Sequence, residues 1–281
     1  QNIHNFATIK RFIRAKNKKR RNCVVMKAKR LVAVLTAVSL MAGLCGMAEP
    51  NADQKIKLEQ NSTSTPALGG KLLYDGYTLQ WADDFNGSEL NRGDWNIELH
   101  APGWVNNELQ AYVDSPENIY LENGSLVIKP IEQKNPDGTV SYTSGRVNTQ
   151  NKHDFKYGIF EARIKVPEGQ GFLPAFWMMP TNENLYGQWP RCGEIDIMEV
   201  LGNDTDKSYG TIHYGNPHSE SQGSYQLTAG SFSEEYHNFA VEWEPGRISW
   251  YVDGCLIHTE NDWYSATEGQ GEITYPAPFD Q

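Results

Sequence analysis

Residues 193–200 read Gly-Glu-Ile-Asp-Ile-Met-Glu-Val. Three carboxylates, Glu194, Asp196 and Glu199, fall within six positions among Ile195, Ile197, Met198 and Val200. Apolar and β-branched residues at this density predict a buried strand. Core strands do not ordinarily carry three acids, because an unpaired charge is costly to bury. Carboxyl groups held in such a place acquire shifted pKa values, which is what proton-transfer catalysis uses.

Side chains alternate along a strand, so Glu194 and Asp196 share a face while Glu199 points away from it. One extra residue in a β-bulge at Ile197–Met198 returns Glu199 to that face. The outer Cα atoms are then about 13 Å apart, at the spacing of i, i+2, i+4. On a concave sheet the two Glu side chains lean together. Retaining glycoside hydrolysis needs a carboxyl pair about 5–5.5 Å apart, one nucleophile and one acid/base. Asp196 between them would hold a proton or hydrogen bond that keeps Glu194 charged, and would help to raise the pKa of Glu199. The bare pattern E-x-D-x-x-E also fits a solvated edge strand or a calcium site. Calcium, however, takes its ligands from looped, Gly-bent segments rather than Ile-rich strands.

The elements that must position these acids read as β from Tyr77 onward. Residues 119–129 carry an Asn-Gly turn between apolar runs, a hairpin signal. Residues 158–166 and 209–214 alternate as strands. Residues 237–243 and 248–252 are joined by the turn Glu244-Pro-Gly-Arg247, and Asp253-Gly254 turns again into 255–258. There is no amphipathic helical pattern and no internal repeat. Many short strands with regular turns predict an antiparallel sandwich or barrel. The Trp-rich loops 93–117 and 180–192 are expected to line a binding site.

The chain has 281 residues, 8 Trp, 14 Tyr and a net charge of −10. Residues 1–48 hold eleven Lys or Arg and no acid, which leaves 14 basic and 35 acidic residues beyond them, a balance of −21. That charge disfavours nucleic acid and anionic membrane surfaces and suits a neutral ligand. Residues 26–48 combine a basic start, an apolar run too short for a membrane span and the small residues Gly46-Met47-Ala48, the pattern of a signal peptide cleaved before Glu49. Residues 1–25 precede it and are expected to lie outside the fold. Residues 49–70 read as a flexible linker, and 71–281 as the globular domain. A secreted or periplasmic location follows, with a lipoprotein anchor through Cys45 as the alternative. Cys192 and Cys255 flank strand-like sequence and are expected to be buried free thiols. No Cys/His pattern suggests zinc.

With Trp189-Pro-Arg-Cys-Gly-Glu-Ile-Asp-Ile-Met-Glu199 in view, the chain resembles glycoside hydrolase family 16, in its laminarinase-like branch. Trp81-Ala-Asp-Asp-Phe-Asn-Gly87, Asn106-Asn-Glu-Leu-Gln110, Ser144-Gly-Arg146, Tyr157-Gly-Ile-Phe-Glu-Ala-Arg-Ile-Lys165, Pro174-Ala-Phe-Trp-Met-Met-Pro180, Gly210-Thr-Ile-His-Tyr214 and Trp250-Tyr-Val-Asp-Gly254 agree in order. The resemblance covers roughly residues 77–281. It implies an all-β jelly roll of two curved sheets with a sugar-binding cleft on the concave face. It implies Glu194 as nucleophile, Asp196 as its assistant and Glu199 as acid/base. It places Asn107 and Arg146 in donor subsites, Trp177 and Trp189 as stacking walls, His213 near the catalytic pair and Trp104 at a cleft end. Trp177 and His213 have the alternative of being core residues.

The implied activity is endo-hydrolysis of β-1,3-glucan with retention. Its alternatives are another polysaccharide (agarose, porphyran, carrageenan or mixed-linkage glucan) or glucan binding without catalysis. No cofactor is required, with a structural calcium ion on the convex face as an open alternative. The expected partner is the polysaccharide alone, and the expected state is a monomer without a membrane span. Tyr275-Pro-Ala-Pro-Phe-Asp-Gln281 reads as a loop entering a further strand, which suggests a chain incomplete at its C-terminus. Such a chain would carry an open sheet edge and be destabilised.

Overall fold

The computed structural model describes residues 7–16, 77–267, 271–273 and 275–281. The proposed signal peptide, the linker, Cys23 and Cys45 lie outside the described residues. The strands are β1 (Ala7–Lys16), β2 (Thr78–Asp83), β3 (Asn96–Ile97), β4 (Gln110–Tyr112), β5 (Ile119–Leu121), β6 (Leu126–Ile128), β7 (Ile131–Lys134), β8 (Val140–Ser144) and β9 (Val147–Asn148). They continue with β10 (Gly158–Lys165), β11 (Ala175–Met178), β12 (Glu194–Glu199), β13 (Lys207–Tyr214), β14 (Ser219–Gln226), β15 (His237–Glu244), β16 (Arg247–Val252), β17 (Cys255–Glu260), β18 (Ser265–Thr267) and β19 (Gly271–Ile273). No helix occurs among the described residues.

Two sheets make the body. The larger has the order β17-β16-β15-β10-β1-β6-β5, with β2 also paired to β1. The smaller is β11-β12-β13-β14, and all its pairings are antiparallel. The main core joins Phe160, Ile164, Phe239, Val241 and Trp250 of the larger sheet to Phe176, Ile195, Ile197, Met198 and Ile212 of the smaller one. This is a sandwich: side chains from the facing surfaces of the two sheets form the shared core. A second cluster of Phe85, Leu90, Trp95, Ile119 and Leu126 lies toward the β5–β6 side.

The turn chemistry explains the hairpins. Asn123 and Gly124 both have positive φ, as do Asp253 and Gly254, the conformation that a two-residue primed turn requires. Gly246 turns β15 into β16 with φ of 75°.

Three observations depart from the sequence reading. Residues 1–25 were expected outside the fold, yet β1 lies inside the larger sheet, antiparallel to β10, β2 and β6. A mid-sheet strand needs a hydrogen-bonding partner on each side, and a basic leader composition does not reveal such a pairing. Cys255, expected to be buried, is exposed, whereas Cys192 is buried. Cys255 opens β17, the outermost strand of its sheet, whose first two residues are exposed. Finally, β4 and β8 pair in parallel within a small side sheet.

Candidate active site

The catalytic strand of the sequence reading is β12, and its bulge lies where period-two alternation requires it. Asp196 faces Thr211 of β13 and Glu199 faces Tyr209, so three steps on β12 span two on β13. On the other side Phe176 pairs with Met198 and Trp177 with Asp196, again skipping Ile197. Ile195, Ile197 and Met198 turn into the core. Glu194, Asp196 and Glu199 thereby share the opposite face. Cross-strand partners lie on one face, so Trp177 of β11 and His213 of β13, opposite Asp196 and Glu194 respectively, join them.

The larger sheet holds the bulge from behind. Trp250 is fully buried on β16, and its indole N–H donates to the Asp196 carbonyl oxygen at 2.7 Å. Gly210 of β13 lies against that indole, and a Cβ there would collide with it. The entry to β12 is packed just as closely. Gly193 has φ of 84°, and a Cβ on it would press on Pro278 and Phe279.

Burial sets the electrostatics. Asp196 is only 4% exposed. Burial first, and then the charge of Glu199, push its carboxyl up to about 8. Burial and the neighbouring Asp196 push Glu194 up to about 7, against the hydrogen bond from Trp189. Glu199 is raised as well, chiefly by burial. The two carboxyls lie side by side and share one proton, and burial raises both. Glu194 Oε2 accepts the Trp189 indole N–H at 2.6 Å, which favours its charged form. His213 Nε2 is 3.3 Å from Asp196 Oδ2. The set can hold one acid and one carboxylate side by side at neutral pH, as acid/base and nucleophilic chemistry at a sugar carbon requires.

A second polar cluster surrounds Arg146. Its Nε lies 2.9 Å from Glu98 Oε2, an ion pair without the alignment of a hydrogen bond. Its guanidinium carbon is 4.5 Å from the centre of the Trp177 ring, 5.0 Å from Trp104 and 5.8 Å from Tyr112. Burial opposes the charge on Glu98, but hydrogen bonds with Asn148 and His100 and the Arg146 charge outweigh it and lower its pKa. His100 stacks on Trp104 with ring centres 3.4 Å apart. Trp177 thus connects the two clusters, with its backbone opposite Asp196 and its ring against Arg146. Trp104 and Trp189 are about half exposed, at 46% and 49%. Asn107 is exposed on the loop beyond Trp104, with φ of 54°.

Comparison with known proteins identifies the family. The family model "Glycosyl hydrolases family 16" matches residues 103–278. The chain belongs to glycosyl hydrolase family 16. It is 35% identical over 251 residues to glucan endo-1,3-beta-glucosidase A1 of Niallia circulans, covering 83% of this chain and 35% of that protein. It is 37% identical over 220 residues to the glucan endo-1,3-beta-glucosidase of Cryptopygus antarcticus, covering 74% and 78%. The chain thus spans about a third of the first relative's length. The X-ray structure of the Pyrococcus furiosus endo-beta-1,3-glucanase superposes with a TM-score of 0.57 at 39% identity, over 65% of this chain and 73% of that one.

As a family 16 glycoside hydrolase, the chain has the all-β jelly-roll architecture expected from its sequence. Of the expected site residues, the structure gathers Glu194, Asp196, Glu199, Trp189 and His213 into one group and Arg146, Trp177 and Trp104 into an adjoining one. Asn107 stands apart from the hydrogen bonds of both. Sequence reasoning missed Glu98 and Tyr112, which contact Arg146, and His100 and Asn148, which hold Glu98 by hydrogen bonds. The alternation of Asn96, Glu98 and His100 along an extended segment was the available signal. Two groups of metal-capable side chains converge among the described residues, and each contains His213. Calcium takes six to eight oxygens, so these nitrogen-bearing sets do not fit it.

Proposed function

We propose that this family 16 glycoside hydrolase is a secreted endo-acting β-1,3-glucanase that retains anomeric configuration. The observation that carries the chemistry is the bulge in β12, which puts Glu194, Asp196 and Glu199 on one face. The choice of 1,3-linked glucan rests on the named relatives from Niallia circulans and Cryptopygus antarcticus. The −21 balance outside residues 1–48 supports a neutral glucan over sulfated galactans, which acidic surfaces repel.

In this reading the Glu194 carboxylate attacks the anomeric carbon as the glycosidic C–O bond breaks, and Glu199 gives its proton to the departing oxygen. Water, losing a proton to Glu199, then attacks the same carbon and frees Glu194. Asp196 keeps the shared proton beside Glu194. Trp189 aligns the nucleophile through its indole N–H and, with Trp177, walls the scissile bond. Arg146 and Asn107 contact sugar in the donor subsites, and His213 steadies Asp196. Secretion rests on the pattern of residues 26–48.

Glu194→Gln is expected to fold normally and to release no new reducing ends from laminarin. Turnover equal to the parent overturns the assignment. Laminarin, lichenan, agarose and carrageenan assayed side by side decide the substrate, and fastest release from agarose or carrageenan defeats the glucan reading. Binding of laminarin by the parent chain without any release marks a non-catalytic binding protein. N-terminal sequencing of the exported protein tests secretion: a start at Glu49 supports it and means that the mature chain sheds β1, whereas retention of Ala7–Lys16 overturns the cleavage.

A further inference from the structure

The loop from β13 to β14 brings a second histidine to the edge of the site. His213 Nδ1 and His218 Nε2 are 2.9 Å apart, and His213 Nδ1 is 3.5 Å from Glu220 Oε2. All three donor atoms lie within 4.8 Å of one another. Glu220 pairs directly with His213 across β13 and β14. The loop is held in place, since Tyr264 Oη donates to the Pro217 carbonyl oxygen at 3.1 Å.

We propose that His213, His218 and Glu220 form a binding site for a divalent first-row transition ion, and that its occupancy inhibits hydrolysis. Two imidazoles and one carboxylate are a donor set for such ions, with a fourth position left for water. Metal–nitrogen bonds are about 2.0–2.1 Å. At the present nitrogen separation they would meet at about 90°, the angle of a tetragonal copper(II) site. Tetrahedral zinc needs about 3.3 Å between the nitrogens, a shift of a few tenths of an ångström that the exposed His218 side chain can make.

The tautomers suit the ion. Asp196 Oδ2 faces His213 Nε2, so the ring proton belongs on Nε2 and the Nδ1 lone pair points toward His218. His218 moves its own ring proton to Nδ1 when Nε2 takes the metal. A carboxylate behind a ligating imidazole is the usual outer support of a metal-bound histidine. Here that carboxylate is the residue next to the nucleophile. The Trp189 ring lies 5.2 Å from His218 and 6.0 Å from His213, so the ion would also fix the residue that donates to Glu194. The inhibition, but not the binding, rests on the proposed hydrolytic reading.

The test uses untagged full chain with Zn²⁺ in calorimetry and Cu²⁺ in electron paramagnetic resonance. One ion should bind, and the copper spectrum should show two nitrogen ligands. His218→Ala and Glu220→Gln should each weaken binding by about 10–100-fold or more. Both should keep parental hydrolysis without metal and resist inhibition at Zn²⁺ levels that silence the parent. A copper spectrum without two-nitrogen coordination, or equal affinity in His218→Ala, overturns the site. Parental hydrolysis persisting under saturating Zn²⁺ overturns the inhibition while leaving the site standing. A parent without activity on any glucan defeats the hydrolytic reading, and the calorimetry still decides the site.

Discussion

Glu194 and Asp196 share one proton because both are buried side by side. Their carboxyls reach about 7 and about 8, against about 4.3 and 3.9 for free Glu and Asp. A raised carboxyl pKa means that the folded state binds protons more tightly than the unfolded chain. This contribution to stability is fully present below about pH 4 and is lost as pH rises through about 7 to 8. Thermal melts of the parent should therefore fall between pH 4.5 and 8.5, and Asp196→Asn should flatten that fall. The same substitution removes a negative charge that raises Glu194. The acid limb of kcat/KM, expected near pH 7 in the parent, should then move to lower pH. A limb that stays in place would refute the pairing of these two groups.

Strand β12 works only as a bulged strand. Deleting Met198 restores strict alternation, and Glu199 must then turn into the core or drag the strand out of register. The expected result is a loss of about 10²–10⁴-fold in kcat, the usual contribution of a positioned acid/base, with a folded protein judged by circular dichroism. Activity within a factor of two of the parent would show the bulge to be dispensable. At this scale the sequence was informative where turn residues or carboxylates broke a pattern. The Asn123-Gly124 and Asp253-Gly254 hairpins and the bulge at Ile197–Met198 were legible for that reason. Strand β14 was not, because its half-buried positions are Ser219, Ser221, Gly223 and Tyr225, which make no apolar period.

In the whole molecule, the residues nearest the C-terminal end of the chain support the start of strand β12. Phe279 is 4% exposed, and its carbonyl oxygen accepts the Trp243 indole N–H at 3.0 Å. Gln281 Nε2 donates to the Cys192 carbonyl oxygen at 3.1 Å, and Tyr186 donates to Asp280 at 2.7 Å. Phe279→Ala should cost about 3–5 kcal/mol in a denaturant titration. It should also lower kcat, because Gly193 loses the surface it packs against. A loss of stability with unchanged kcat would separate this segment from the site.

The sequence by itself determined the three acids, the need for a bulge between them, the hairpins and the all-β class. Each depends on neighbours a few residues apart and on the two-residue period of a strand. Only the tertiary structure decided that burial raises the acids together, what clamps Arg146, how Trp250 pins the Asp196 carbonyl and that His218 meets His213. Desolvation and cross-sheet hydrogen bonds are sums over residues far apart in the chain, such as Asp196 and Trp250 or Glu98 and Arg146. No local pattern carries those sums.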